Sequence, residues 1–167
     1  LGVSPASDVV AYDDERGAQA AARFWWMLRA FGHQGVRVLD GGWHAACSIG
    51  LPCEGESGAA ARGDRSTGAY PIPPFDPWRA GTVTIDEVDQ IRQDPARLLV
   101  DVRSARRYAG IDEPIDPVAG HIPGAVNVPY LENLGIDGRL LPPEELAAKY
   151  TTLLGGRSPD AMVVYCG

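Results

Sequence analysis

Residues 9–39 read VVAYDDERGAQAAARFWWMLRAFGHQGVRVL, and the order of patterns in this stretch decides the fold class. Val9-Val10-Ala11-Tyr12 is a short apolar run closed by Asp13-Asp14, the pattern of a strand buried on both faces. Over residues 16–31, Ala18, Ala21, Ala22, Trp25 and Leu28 recur at helical spacing, and Gly32 ends the segment. Val36-Arg37-Val38-Leu39 is again a strand, stopped by Asp40-Gly41-Gly42. Strand, helix and strand in so short a stretch require a crossover and therefore parallel pairing. The expected class is α/β.

Downstream, residues 50–77 hold Pro52, Pro71, Pro73, Pro74 and Pro77 among several glycines, and read as a connecting segment. Periodic structure resumes at Thr84-Ile85-Asp86-Glu87, where Thr84 and Glu87 form a capping-box pattern. Residues 98–102 predict a strand, Ser104 starts a short helix through Arg107-Tyr108, and residues 110–120 form a loop carrying Pro114 and Pro117. A second helix is expected from Pro143 towards Leu153, and Val163-Val164-Tyr165 is the last strand. Val10-Ala11-Tyr12-Asp13 lies over Val163-Val164-Tyr165-Cys166, so two strands each end in a polar or reactive residue. Parallel sheets place their ligand sites outside such carboxyl ends.

Composition narrows the function. Across 167 residues, 22% are charged and 45% hydrophobic, which supports a packed core and excludes disordered and collagen-like classes. Lys and Arg total 15 against 22 Asp and Glu, a net charge of −7 that argues against nucleic-acid binding. A small anionic ligand remains compatible, because one local arginine overrides the global sign. No apolar stretch approaches the roughly 18 residues of a membrane span. The 3 cysteines, Cys47, Cys53 and Cys166, do not suggest a disulfide framework and point to a reducing cytoplasm. His44, Cys47 and Cys53 match no usual zinc spacing, so Cys47 and Cys53 read as inert thiols and no metal is expected. Cys166 is the leading reactive residue, since backbone N–H groups at a strand-to-helix turn favour thiolate; a merely packed cysteine is the plain alternative. The chain starts at Leu1 and stops within an apolar strand, so the expectation is an internal piece of a longer protein, with each sheet short of covering elements.

The run from Phe24-Trp25-Trp26-Met27-Leu28-Arg29-Ala30-Phe31-Gly32-His33 to Val38-Leu39-Asp40-Gly41-Gly42-Trp43 resembles the end of the first domain of a tandem rhodanese. Leu99-Val100-Asp101-Val102-Arg103, Arg107-Tyr108 and Gly120-His121-Ile122-Pro123-Gly124-Ala125-Val126-Asn127-Val128-Pro129 resemble the start of the second. Tyr165-Cys166-Gly167 sits where that family's active-site loop begins. The resemblance implies two rhodanese-like modules in tandem, each a parallel sheet flanked by helices and each incomplete here. Residues 1–47 would be the C-terminal part of a catalytically silent first domain, 48–81 the interdomain linker, and 82–167 the N-terminal part of the catalytic second domain.

The implied activity moves a sulfane sulfur from thiosulfate or 3-mercaptopyruvate to cyanide or a thiol acceptor through a cysteine persulfide. No metal or organic cofactor is implied, and the remainder of the parent chain would be the structural partner. By the resemblance Cys166 is the nucleophile, Asp13 stands where the silent domain has lost its cysteine, and Arg107 holds the anionic end of the donor. A surface ion pair is the plain alternative for Arg107. Asp101 and Arg103 read as structural support at a strand end, and His121 as holding its turn rather than as a general base. Trp25, Trp26 and Phe31 read as core by spacing, Trp43 and Tyr165 as packing. The donor clues conflict. Cys166-Gly167 leans to the mercaptopyruvate type, but Glu113-Pro114 is followed by Ile115 and not by that type's arginine, and thiosulfate is taken as the nominal donor. Two other classes share the frame: a non-enzymatic rhodanese module that carries sulfur or docks a protein, and phosphatase or arsenate-reductase chemistry on a cysteine loop. The loop after Cys166 discriminates them by its length.

Overall fold

The computed structural model describes residues 3–52 and 81–166, so Cys53 and most of the expected linker lie outside the described residues. The chain divides into two compact units, Leu1–Thr82 with Asp137–Arg139, and Val83–Ile136 with Leu140–Gly167. Each contains a parallel sheet with helices beside it, which is the expected α/β class.

In the first unit β1 (Val9–Ala11) pairs in parallel with β2 (Val36–Val38), Val9 opposite Val36 and Ala11 opposite Val38. Helix α1 (Ala20–Ala30) makes the crossover. It starts later than its apolar periodicity suggests, because Arg16 and Gly17 have φ of 64° and 80°, left-handed values that no helix accepts. A further helix, α2 (Gly42–Ser48), follows β2 where the sequence shows only a glycine stop. Gly42 is required there, since a Cβ would lie 2.5 Å from the carbonyl oxygen of Asp13. Ala11, Ala21, Val36 and Ala46 are buried, but Trp25 is 38% exposed and does not join the core. An 11-residue helix is roughly 16 Å long, whereas 3-residue strands cover roughly 10 Å, so α1 outruns its sheet.

The second unit opens with α3 (Ile85–Ile91), and its capping box forms: the Thr84 N–H donates to Glu87 Oε2 at 2.6 Å, and the Glu87 N–H to Thr84 Oγ1 at 3.3 Å. Strand β3 (Leu98–Asp101) is buried at every position. Short helix α4 (Ala105–Tyr108) follows, with Ser104 as its cap. Strand β4 (Val126–Asn127) was legible only as part of a motif, because prolines on both sides leave it two residues long. Helix α5 (Pro143–Leu154) has Pro143 in its first turn and ends on left-handed Gly155. Strand β5 (Met162–Tyr165) completes a sheet of order β4-β3-β5, parallel throughout. Leu98, Val100, Val128 and Leu154 form its core. Because β3 and β5 run together with Asp101 opposite Tyr165, Cys166 leaves the sheet beside the buried Asp101. No helix among the described residues is long and apolar enough to cross a membrane.

Candidate functional site

At the carboxyl end of β3 the chain buries two opposite charges. Asp101 is fully buried and Arg103 is 6% exposed. The Asp101 carboxylate accepts from the Arg103 N–H at 2.9 Å, from Nε at 3.1 Å and from Nη2 at 2.7 Å. Arg103 Nη2 also donates to the Gly120 carbonyl at 2.6 Å, tying the loop above to the strand. Burial works against the Asp101 carboxylate, but hydrogen bonds from Arg103 and the Tyr165 hydroxyl outweigh it and hold its pKa below the ordinary value. Arg103 is raised in turn by Asp101. Asn127 locks the same corner, donating from Nδ2 to the carbonyls of Asp101 and Arg103.

Arg107 projects from α4 into this cluster. Its Nη2 donates to Glu113 Oε1 at 2.7 Å and to Asp116 Oδ2 at 3.1 Å, and its Nε to Glu113 Oε2 at 3.2 Å. Glu113 also accepts from Arg103 Nη1 and from the N–H groups of Ile115 and Asp116. Arg107, helped by those two backbone donors, brings the Glu113 pKa down to about 2. Glu113 in turn raises the Arg107 guanidinium. The loop acids that hold Arg107 were missed by sequence reasoning. Glu113 stands out in the sequence only through the Glu113-Pro114 pattern and Asp116 only by preceding Pro117, and the two prolines stiffen the loop that presents both acids.

Tyr165 is more than packing. Its hydroxyl accepts from the Ile122 N–H at 3.1 Å and meets Asp101, and burial first, with Asp101 beside it, pushes the phenol up to about 12. The Arg103 guanidinium lies 5.8 Å from its ring centre. His121 stacks on Tyr108 with ring centres 3.7 Å apart, and its Nδ1 is 2.8 Å from the Tyr108 carbonyl oxygen. A cavity of about 260 Å³ opens between Arg103, Asp116, Gly120, His121, Ile122 and Tyr165. Cys166 follows Tyr165 directly and is exposed. Cys47 is exposed on α2, in the other unit.

Asp13, beyond the end of β1, is held differently. Its carboxylate accepts from the backbone N–H groups of Glu15, Gly17 and Ala21 at 3.0, 2.7 and 2.9 Å, and from that of Gln19. Burial opposes the charge, yet these donors hold the Asp13 pKa below its ordinary value. No group of three or more His, Cys, Asp or Glu among the described residues is placed to hold a metal ion.

The rhodanese-like domain family matches residues 2–48 and 84–167. The chain belongs to the rhodanese family. This rhodanese chain is 41% identical over 169 residues to a probable 3-mercaptopyruvate sulfurtransferase of Pseudomonas aeruginosa, covering 99% of the chain and 56% of the relative. It is 37% identical over 152 residues to a thiosulfate sulfurtransferase of Rattus norvegicus, covering 89% and 48%. Among solved structures, a 3-mercaptopyruvate sulfurtransferase from Leishmania major superposes with a TM-score of 0.75 at 31% identity, covering 97% of the chain and 43% of that protein. The rhodanese chain thus spans about half the length of the curated relatives it matches.

Proposed function

We propose that this chain carries the reacting cysteine and the donor-binding arginine of a tandem-domain rhodanese sulfurtransferase. The observation that carries the reading is the exposed Cys166 leaving β5 beside the buried Asp101 end of β3, in the unit that also gathers Arg103 and Arg107. On this reading residues 1–47 belong to a silent module, with Asp13 in the place of a nucleophile, residues 48–81 connect, and residues 82–167 begin the catalytic module.

The Cys166 thiolate attacks the outer sulfur of the donor and a sulfur–sulfur bond forms. With thiosulfate, the donor's own sulfur–sulfur bond breaks and sulfite leaves with the bonding pair. With 3-mercaptopyruvate, the carbon–sulfur bond breaks and the departing enolate takes up a proton to become pyruvate. The persulfide then passes its outer sulfur to cyanide or a thiolate, and the Cys166 thiolate is regenerated. Arg107 binds the sulfonate or carboxylate, for which a planar guanidinium supplies forked donors. Arg103 and Asp101 form the platform beneath it, and His121, bonded to the Tyr108 carbonyl, holds the turn. A reducing cytoplasm suits an exposed thiol nucleophile. Ile115, where the mercaptopyruvate type has an arginine, favours thiosulfate as the donor. The name of the Pseudomonas aeruginosa relative favours 3-mercaptopyruvate as the second reading.

The test is made in the full-length protein. Cys166→Ser is expected to abolish transfer from both donors and the one-sulfur mass gain on the isolated protein after donor treatment, while Cys47→Ser and Cys53→Ser retain both. Transfer by Cys166→Ser overturns the assignment. A wild type that gains no sulfur from either donor favours the docking-module reading instead. Arg107→Ala is expected to lower kcat/KM roughly ten- to a hundredfold through KM, the range for charge-assisted hydrogen bonds. Comparing kcat/KM for the two donors decides between them.

A further inference from the structure

Arg107 is described above as the donor's anchor, yet its guanidinium is already engaged by two carboxylates that differ in kind. Glu113 is 4% exposed and accepts from Arg103, Arg107 and two backbone N–H groups, so it is a fixed strut. Asp116 is 40% exposed and borders the cavity. Among the described residues its carboxylate accepts one hydrogen bond, from Arg107 Nη2 at 3.1 Å, and lies 3.5 Å from Arg103 Nη1.

We infer that Asp116 is an internal competitor for the donor: its carboxylate occupies the open side of Arg107 in the free protein and swings out when the donor's anionic group takes its place. This rests on the proposed role of Arg107. Charge balance supports it. Arg103 and Arg107 face Asp101, Glu113 and Asp116, two positive groups against three negative, so an added anion would meet net repulsion. Exchange of the Asp116 carboxylate for the single charge of 3-mercaptopyruvate leaves that sum unchanged, and for the double charge of thiosulfate it adds one negative charge where a retained Asp116 would make it two. The movement needed is small. The Asp116 N–H is tied to Glu113 Oε1 at 3.0 Å and Pro117 follows, so the backbone stays and the half-exposed side chain turns into solvent. Asp116 therefore sets how strongly an anion must bind to enter, which makes it a residue that tunes donor affinity and not one that reacts.

The experiment compares Asp116→Asn and Asp116→Ser with wild type in the full-length protein, measuring KM for thiosulfate and for 3-mercaptopyruvate. It also measures the thermal stabilisation produced by a fixed concentration of sulfite or pyruvate, the anionic products. Removing the competitor is expected to lower KM roughly two- to fivefold, the scale of a half-exposed ion pair, and to increase stabilisation by the product anions. In an Arg107→Ala background, Asp116→Asn is expected to leave KM unchanged. KM unchanged or raised by both Asp116 variants overturns the inference, because Asp116 then merely orients Arg107. Arg107→Ala with unaltered KM overturns the anchor itself, and the two failures are thereby told apart.

Discussion

Beyond the end of β1 the carboxylate of Asp13 is wrapped by the backbone N–H groups of residues 15, 17, 19 and 21, whereas at the end of β5 the thiol of Cys166 stands exposed. In the first unit the loop's donors are consumed by an anion that the chain supplies itself. In the second, charges are paired between side chains: Asp101 with Arg103, and Glu113 and Asp116 with Arg107. On the proposed reading, this contrast is how one strand-end geometry is made inert and the other receptive. Backbone amides filled by a tethered carboxylate offer nothing to a ligand. A guanidinium shared between a buried and a half-exposed acid keeps one position exchangeable.

The largest effect is expected in the second unit, where Asp101 and Arg103 are buried together. Arg103→Met strands the fully buried Asp101 charge, and is expected to cost about 3–5 kcal/mol, read as loss of hydrogen-exchange protection across β3. Adding Asp101→Asn should recover part of that loss; no recovery would mean that Arg103 acts through its bond to Gly120 and not through charge.

A smaller effect is expected at the other strand end. Asp13→Ala orphans several backbone N–H groups, and a charged acceptor's hydrogen bonds are worth about 1.5–3 kcal/mol. Trp25, Trp26 and Trp43 belong to this unit and no tryptophan falls in Val83–Ile136 or Leu140–Gly167, so a fluorescence change during urea unfolding does not arise from the second unit. An unchanged midpoint would show that the loop holds its shape without the carboxylate.

The smallest effect is one of pH. Glu113 has its pKa lowered to about 2 from an ordinary 4.5, so its contribution is fully present above the unfolded value and lost as pH falls from 4.5 towards 2. Asp13 and Asp101, also depressed, act with the same sign. Glu113→Gln is expected to flatten the acid limb of stability in the second unit, followed by far-UV circular dichroism between pH 5 and 2. An acid limb as steep as that of wild type would remove Glu113 from the set of ionised struts.

Local features are legible in the sequence alone. The Thr84-to-Glu87 capping box, Pro143 in the first turn of α5, the buried run at β3 and the crossover from β1 to β2 depend on neighbours in sequence, so contiguous residues suffice to specify them. The strand-end positions of Asp13 and Cys166 follow from the same patterns. What stayed hidden was of another kind. The delayed start of α1 and the presence of α2 hang on how the loop at Asp13 closes against Gly42, a contact between residues far apart in sequence. Any of 15 lysines and arginines can in principle pair with any of 22 acids, and periodicity chooses none of them. The path of the loop through Pro114 and Pro117 chose Glu113 and Asp116 for Arg107, because ion pairing acts over a few ångströms of space and only the folded backbone sets which charges come that close.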